Sequence, residues 1–99
     1  MNTLQDEDEE SVRSTTYGSF IWYKKGTNIY HRLNGPAIED SNGTRCWYIN
    51  GRLHRLNGPA IEYFSESNPG PRHWYYNGKQ IECSSLEEFK RLINLLVFL

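Results

Sequence analysis

Long apolar runs are missing from this chain. The most hydrophobic stretch is the closing LINLLVFL, far short of the roughly 20 residues a membrane-spanning helix requires, so no membrane partner is expected. Cysteine is scarce: Cys46 and Cys83 stand far apart and outside any CxxC spacing, which excludes a disulfide framework or a cysteine-rich metal knuckle. The opening MNTLQDEDEE lacks the basic start and apolar core of a secretory signal. Both cysteines are therefore expected to be buried, reduced thiols in a cytoplasmic protein.

Catalytic hardware is equally thin. Of the three histidines, His31 and His54 occupy equivalent positions of a duplicated segment. Two strand spacings would hold them about 10 Å apart, too far for one zinc ion, and no Cys or His follows at ligand spacing. Every glycine punctuates a turn, and none opens a helix as a phosphate-cradling loop does. Neither cysteine has a triad-like neighbourhood, and the carboxylates Glu39 and Glu62 are repeat equivalents, which suits a structural pair. The reading is no enzyme, no metal and no cofactor.

Aromatics are what the chain has in quantity: three Trp, seven Tyr and four Phe in 99 residues. Each can bury roughly 150–250 Å², enough to supply a thin core in a domain near the lower size limit for unaided folding, and strands favour such side chains. Charge is unevenly spread. Residues 1–16 hold Asp6, Glu7, Asp8, Glu9 and Glu10 against Arg13 alone, whereas residues 17–83 carry a small basic excess. The expected organisation is an acidic disordered tail at 1–16, a β-hairpin sheet at 17–83 and a C-terminal helix at 84–99 that packs on it.

Self-comparison gives the main result. HRLNGPAIE occurs at His31–Glu39 and again, letter for letter, at His54–Glu62; Trp-Tyr occurs at Trp22-Tyr23, Trp47-Tyr48 and Trp74-Tyr75. Asn-Gly between β-formers signals a type I′ hairpin turn, which places such turns at Asn42-Gly43, Asn50-Gly51 and Asn77-Gly78. Strands are predicted at about 19–24, 29–31, 36–40, 44–49, 52–54, 59–64, 72–76 and 79–82. Short connections make them an antiparallel meander. Ser84 and Ser85 precede Glu87 and Glu88 with capping-box spacing. Leu86, Phe89, Ile93, Leu96 and Val97 then share one helical face, with Leu92 beside it. The fold class is mainly β, an antiparallel hairpin-repeat meander with a C-terminal helix.

The segment WYINGRLHRLNGPAIEY resembles the MORN repeat, and resembles more closely the HRxxGPAxE repeats of small proteins from large bacteriophages and giant viruses. In those proteins a final NGK and Cys lead into a short EEFxRL helix, matched here by Asn77-Gly78-Lys79, Cys83 and 87–92. The likeness covers about residues 20–99. It implies a hairpin-repeat fold and a viral inhibitor or adaptor that binds a host protein, such as a defence-system component, in the host cytoplasm. His-Arg stands where a MORN unit has His-Gly.

Alternation sends Trp22, Trp47 and Trp74 to one face of the sheet and Tyr23, Tyr48 and Tyr75 to the other. One helix cannot cover both, so one aromatic row is expected to stay partly open. The His-Arg pairs admit two readings. In one, His bonds the Asn-Gly turn and Arg pairs with Glu. In the other, Arg32, Arg55, Arg45, Arg52 and Arg72 form a basic stripe beside His31 and His54 that grips phosphate or acidic groups. The candidate binding residues are thus Tyr23, His31, Arg32, Arg45, Tyr48, Arg52, His54, Arg55, Arg72 and Tyr75. A host protein is the expected partner. A nucleotide or RNA held on the Arg-aromatic face and an oligomer joined through sheet edges or the helix are the alternatives.

Overall fold

Two-residue turns with left-handed backbone set the architecture. In the computed structural model, which describes residues 9–64 and 72–97, Asn50-Gly51 (φ 52° and 81°) and Asn77-Gly78 (φ 48° and 84°) both hold positive φ. That pairing is the requirement of a type I′ turn. The strands are β1 (Ser11–Thr16), β2 (Ser19–Lys24), β3 (Ile38–Glu39), β4 (Arg45–Cys46), β5 (Tyr48–Ile49), β6 (Arg52–Leu53), β7 (Ile61–Glu62), β8 (Arg72–Tyr76) and β9 (Lys79–Ile81). The helix α1 (Leu86–Val97) follows. Seven strands form one antiparallel sheet in the order β1-β2-β3-β4-β7-β8-β9, and β5-β6 makes a separate hairpin between β4 and β7. The molecule is mainly β, a meander with one C-terminal helix, as its sequence pattern implies.

Several sequence expectations change. Residues 11–16 are not a tail. They form β1, which pairs along its whole length with β2, from Ser11 opposite Lys24 to Thr16 opposite Ser19. The turn between them is Tyr17-Gly18, both at positive φ (51° and 81°), a I′-type turn without the usual Asn. Residues 1–8 lie outside the described residues. Asn42-Gly43 is not a type I′ turn, because only Gly43 has positive φ. Asp40 accepts from the Gly43 N–H at 2.9 Å and donates to the Thr44 carbonyl at 2.9 Å, a longer loop with glycine at its left-handed position. The predicted strand at 29–31 contracts to a single bridge between Tyr23 and Tyr30. Its backbone turns outward instead: the Tyr30 carbonyl accepts from Gly51, and the Arg32 N–H donates to the Tyr48 carbonyl.

Those outward bonds join neighbouring units, taken to begin at Trp22, Trp47 and Trp74. The Asn50 N–H donates to His31 Nδ1 at 2.8 Å, and the Asn77 N–H donates to His54 Nδ1 at 2.9 Å. Each histidine thus ties down the turn of the next unit. Each arginine covers the tryptophan of its own unit: the Arg32 guanidinium lies 3.7 Å from the Trp22 ring centroid and Arg55 3.6 Å from Trp47. The same guanidinium donates to the following proline carbonyl, Pro36 at 3.1 Å and Pro59 at 3.0 Å. It also pairs with a glutamate, Arg32 with Glu39 at 3.3 Å and Arg55 with Glu62 at 3.4 Å. Gly35 and Gly58 are required by this packing, since a Cβ on either would stand 2.9 Å from the guanidinium. Ala37 and Ala60 are fully enclosed. Their backbones continue the ladder, the Trp22 N–H donating to Ala37 and the Trp47 N–H to Ala60.

The unit that begins at Trp74 is followed by the helix and not by another hairpin, and it changes both tasks. Ile81, opposite Trp74, takes the place of the histidine and is buried, and the ring of Phe89 lies 5.1 Å from Trp74, where the other units have arginine. Trp74, Ile81, Phe89 and Ile93 form the core cluster, with Tyr76, Cys83, Leu92 and Leu96 packed around it. The helix therefore covers the last hairpin and not a whole sheet face. Leu86, expected inside, is 37% exposed; the Val97 side chain and residues 98–99 lie outside the described residues. Ser85 Oγ accepts from the Glu88 N–H at 3.1 Å, and Glu88 Oε1 accepts from the Ser84 N–H at 2.8 Å, so the glutamate reaches one residue beyond the cap that a strict capping box would have it bond.

Candidate functional site

Register divides the sheet into two chemically distinct faces, because directly opposed residues share a side. On one, Phe20, Glu39, Arg45, Glu62 and Arg72 stand opposite one another in succession. The tryptophans and their arginines continue this face, as the 6.3 Å spacing of the Phe20 and Trp22 rings and the Arg-Glu pairs indicate. On the other, Ile21, Ile38, Cys46, Ile61 and His73 form the corresponding row.

The basic stripe does not assemble. Arg45 is flanked in register by Glu39 and Glu62, and Arg72 stands opposite Glu62, so signs alternate along the row. Arg32 is only 14% exposed and Arg55 24%, each held between an indole and a carboxylate. His31 is enclosed at 1% exposure, and its Nε2 lies 2.7 Å from Glu10 Oε1, which leaves neither ring nitrogen for a ligand. Arg52 is exposed on β6, beside Gly78 and away from that row. His54 contacts the Tyr76 ring at 5.1 Å, and burial lowers its pKa. Among the described residues no group of three His, Cys, Asp or Glu could hold a metal ion, and no helix is long and apolar enough to cross a membrane.

The opposite face brings the tyrosines together. Tyr23 and Tyr30 stand 5.7 Å apart, and Tyr30 meets Tyr48 edge-on at 5.1 Å. Tyr63 meets the His73 ring edge-on at 5.7 Å. Burial raises the Tyr48 pKa, and the nearby Cys46, Tyr30, Tyr75 and Tyr63 raise it further by opposing another negative charge. Cys46 itself is pushed up by burial and then by Asp40. The Tyr48 hydroxyl and the Cys46 thiol are thus held in their protonated forms at neutral pH. Tyr23, Tyr48 and Tyr75 are partly covered and Tyr63 is 43% exposed. Among the described residues no second layer lies over them. Sequence reasoning named three of these tyrosines through the Trp-Tyr pairs; it missed Tyr30 and Tyr63, which stand outside that pair, although Tyr63 follows the second AIE at an alternating position.

A separate cleft of about 550 Å³ opens between the two Leu-Asn-Gly loops. Leu33, Asn34, Leu56 and Asn57 of the two loops line it together with Trp47 and Ile49. Comparison with known proteins adds no further constraint: no family model, curated protein or solved structure matches the chain. The class defined by fold and surface is a small antiparallel sheet of stitched hairpins with an open tyrosine face.

Proposed function

We propose that this protein is a non-catalytic binding module that takes a protein partner on its tyrosine face. The observation that carries this reading is the neighbouring set of Tyr23, Tyr30, Tyr48, Tyr75 and Tyr63, partly open to solvent. Tyrosine is enriched at interface hot spots because it offers a rigid apolar body and a polar tip. Arg32, Arg55 and His31, which an anionic ligand would need, are already engaged with Trp, Glu and backbone groups. The likeness to small proteins of large bacteriophages directs the reading towards a host protein in the cytoplasm, such as a defence-system component, with this chain as inhibitor or adaptor. Affinity capture from bacterial lysate, with and without nuclease, tests it. A stoichiometric protein that survives nuclease, is lost with Tyr48→Ala and Tyr63→Ala and is kept with Arg45→Ala is the expected result. Retention of nuclease-sensitive material instead would return the site to the arginine-bearing face.

A further inference from the structure

Asparagine stands directly before glycine five times, at Asn34, Asn42, Asn50, Asn57 and Asn77. That pair has a chemistry of its own. The glycine backbone nitrogen can attack the asparagine side-chain carbonyl carbon, because glycine has no Cβ to shield the approach. A new C–N bond closes a five-membered imide. The bond from Cγ to the side-chain nitrogen breaks, and the proton of the glycine N–H leaves with the ammonia. Water then opens the imide at one of its two carbonyls. The product is aspartate, or isoaspartate with its backbone routed through the former side-chain carbonyl. Water is the only co-reactant. The reaction requires a glycine N–H that is free to give up its proton and a carboxamide that is free to turn.

The fold withholds that freedom from Asn42, Asn50 and Asn77. The Gly43 N–H donates to the Asp40 carbonyl at 2.9 Å, Gly51 to Tyr30 at 2.8 Å and Gly78 to Leu53 at 2.8 Å. Asn42 Oδ1 accepts from the Thr44 N–H at 2.9 Å, and Asn50 Oδ1 from Lys24 Nζ at 2.7 Å. Asn50 and Asn77 are also fixed at positive φ by their turns. Asn34 and Asn57 differ on every count. Both are exposed, in the bends that follow the His-Arg pairs, and neither has positive φ. Among the described residues their carboxamides make no hydrogen bond, and neither do the N–H groups of Gly35 and Gly58. The two sites share the sequence Leu-Asn-Gly-Pro, so the fold alone separates their rates. Gly58 is buried and Gly35 only half-buried, which gives Gly35 the better access to solvent base and water.

We propose that Asn34, and after it Asn57, are self-modification sites, at which the folded protein converts asparagine to aspartate and isoaspartate without an enzyme. Each event adds one negative charge to the lining of the cleft that both asparagines border. It also alters the chain beside Gly35, which lies so close to the Arg32 guanidinium that a Cβ would stand 2.9 Å from it. A carboxylate two residues from Arg32 competes with Glu39, now 3.3 Å away, for the cation that covers Trp22. This chemistry does not depend on the tyrosine face. The test incubates the full chain in mildly alkaline buffer and maps its peptides by mass spectrometry over time, with fragmentation to part Asn34 from Asn42. The mass change of an amide becoming an acid is expected at Asn34 first and at Asn57 next. Asn34 should react at least about fivefold faster than Asn42, Asn50 or Asn77, the worth of the hydrogen bond that each of those glycines must first release. In denaturant the five rates should converge, because the turns that restrain three of them are gone. The acidic forms that ion exchange separates from the folded chain should fall steeply in the Asn34→Gln/Asn57→Gln double variant. The proposal is overturned if Asn34 stays intact in the folded chain while the denatured chain reacts, or if a turn asparagine keeps pace with it. Asn57 reacting ahead of Asn34, or the same rate order in denaturant, would overturn it as well.

Discussion

A backbone N–H has only a proton to give, so the 2.9 Å bond from Asn77 to His54 requires a bare Nδ1. Protonation of that ring would set two donors against each other and release the Asn77-Gly78 turn. Burial already lowers the His54 pKa below the ordinary value of 6.5. Between the lowered value and 6.5 the unfolded chain binds more protons, so stability is full above 6.5 and declines as pH falls through it towards the folded pKa. Urea midpoints measured from about pH 8 to about pH 5 should be level at the alkaline end and drop at the acid end. His54→Gln keeps an acceptor and cannot titrate, and should reduce that drop; an identical acid limb in this variant would place its cause in other groups.

At the scale of elements, α1 acts as the closing piece of the last hairpin, with Phe89 fully enclosed against Trp74. Truncating an aromatic in such a core costs about 3–5 kcal/mol. Phe89→Ala should therefore lower the denaturation midpoint sharply, whereas Leu95→Ala, at a residue 57% exposed, should leave it nearly unchanged. A comparable midpoint shift for both would mean that the helix does not close the core. The helix was legible in the sequence because its capping residues and 3.6-residue periodicity are local signals. The strands were legible through Asn-Gly turns and alternation, but with inflated lengths. Ile29–His31 and the Ala positions read as β, yet the bonds of Tyr30 and Arg32 leave the ladder to reach Gly51 and Tyr48, a choice made by the neighbouring unit. Strand β1 was missed because Tyr17-Gly18 does not look like a I′ turn and the acidic residues before it dominate the composition. The candidate site was half legible. Alternation gave the tyrosine row, but no spacing rule reveals that glutamates interrupt the arginines in register.

For the whole molecule, the consequence of β1 is that the sheet has a six-residue strand at its outer edge. It is mostly exposed and polar, with Arg13, Ser14, Thr15 and Thr16, the composition that discourages further pairing. Removing residues 1–16 would uncover β2, whose sequence SFIWYK is far more apolar. The shortened chain is expected to self-associate, with sedimentation mass rising with concentration, while the full chain's mass stays constant. Equal behaviour of the two would show that β1 does not protect the edge.

The substitution of Ile81 and Phe89 for the histidine and arginine of the earlier units has a consequence for growth. An interior hairpin carries a donor-acceptor socket that only another hairpin can fill; the final one carries hydrocarbon, which a helix fills. The assembly therefore behaves like a polymer with a distinct end-group. Its copy number is written in how many interior hairpins precede that terminus, and the chemistry of the terminus itself is indifferent to the count.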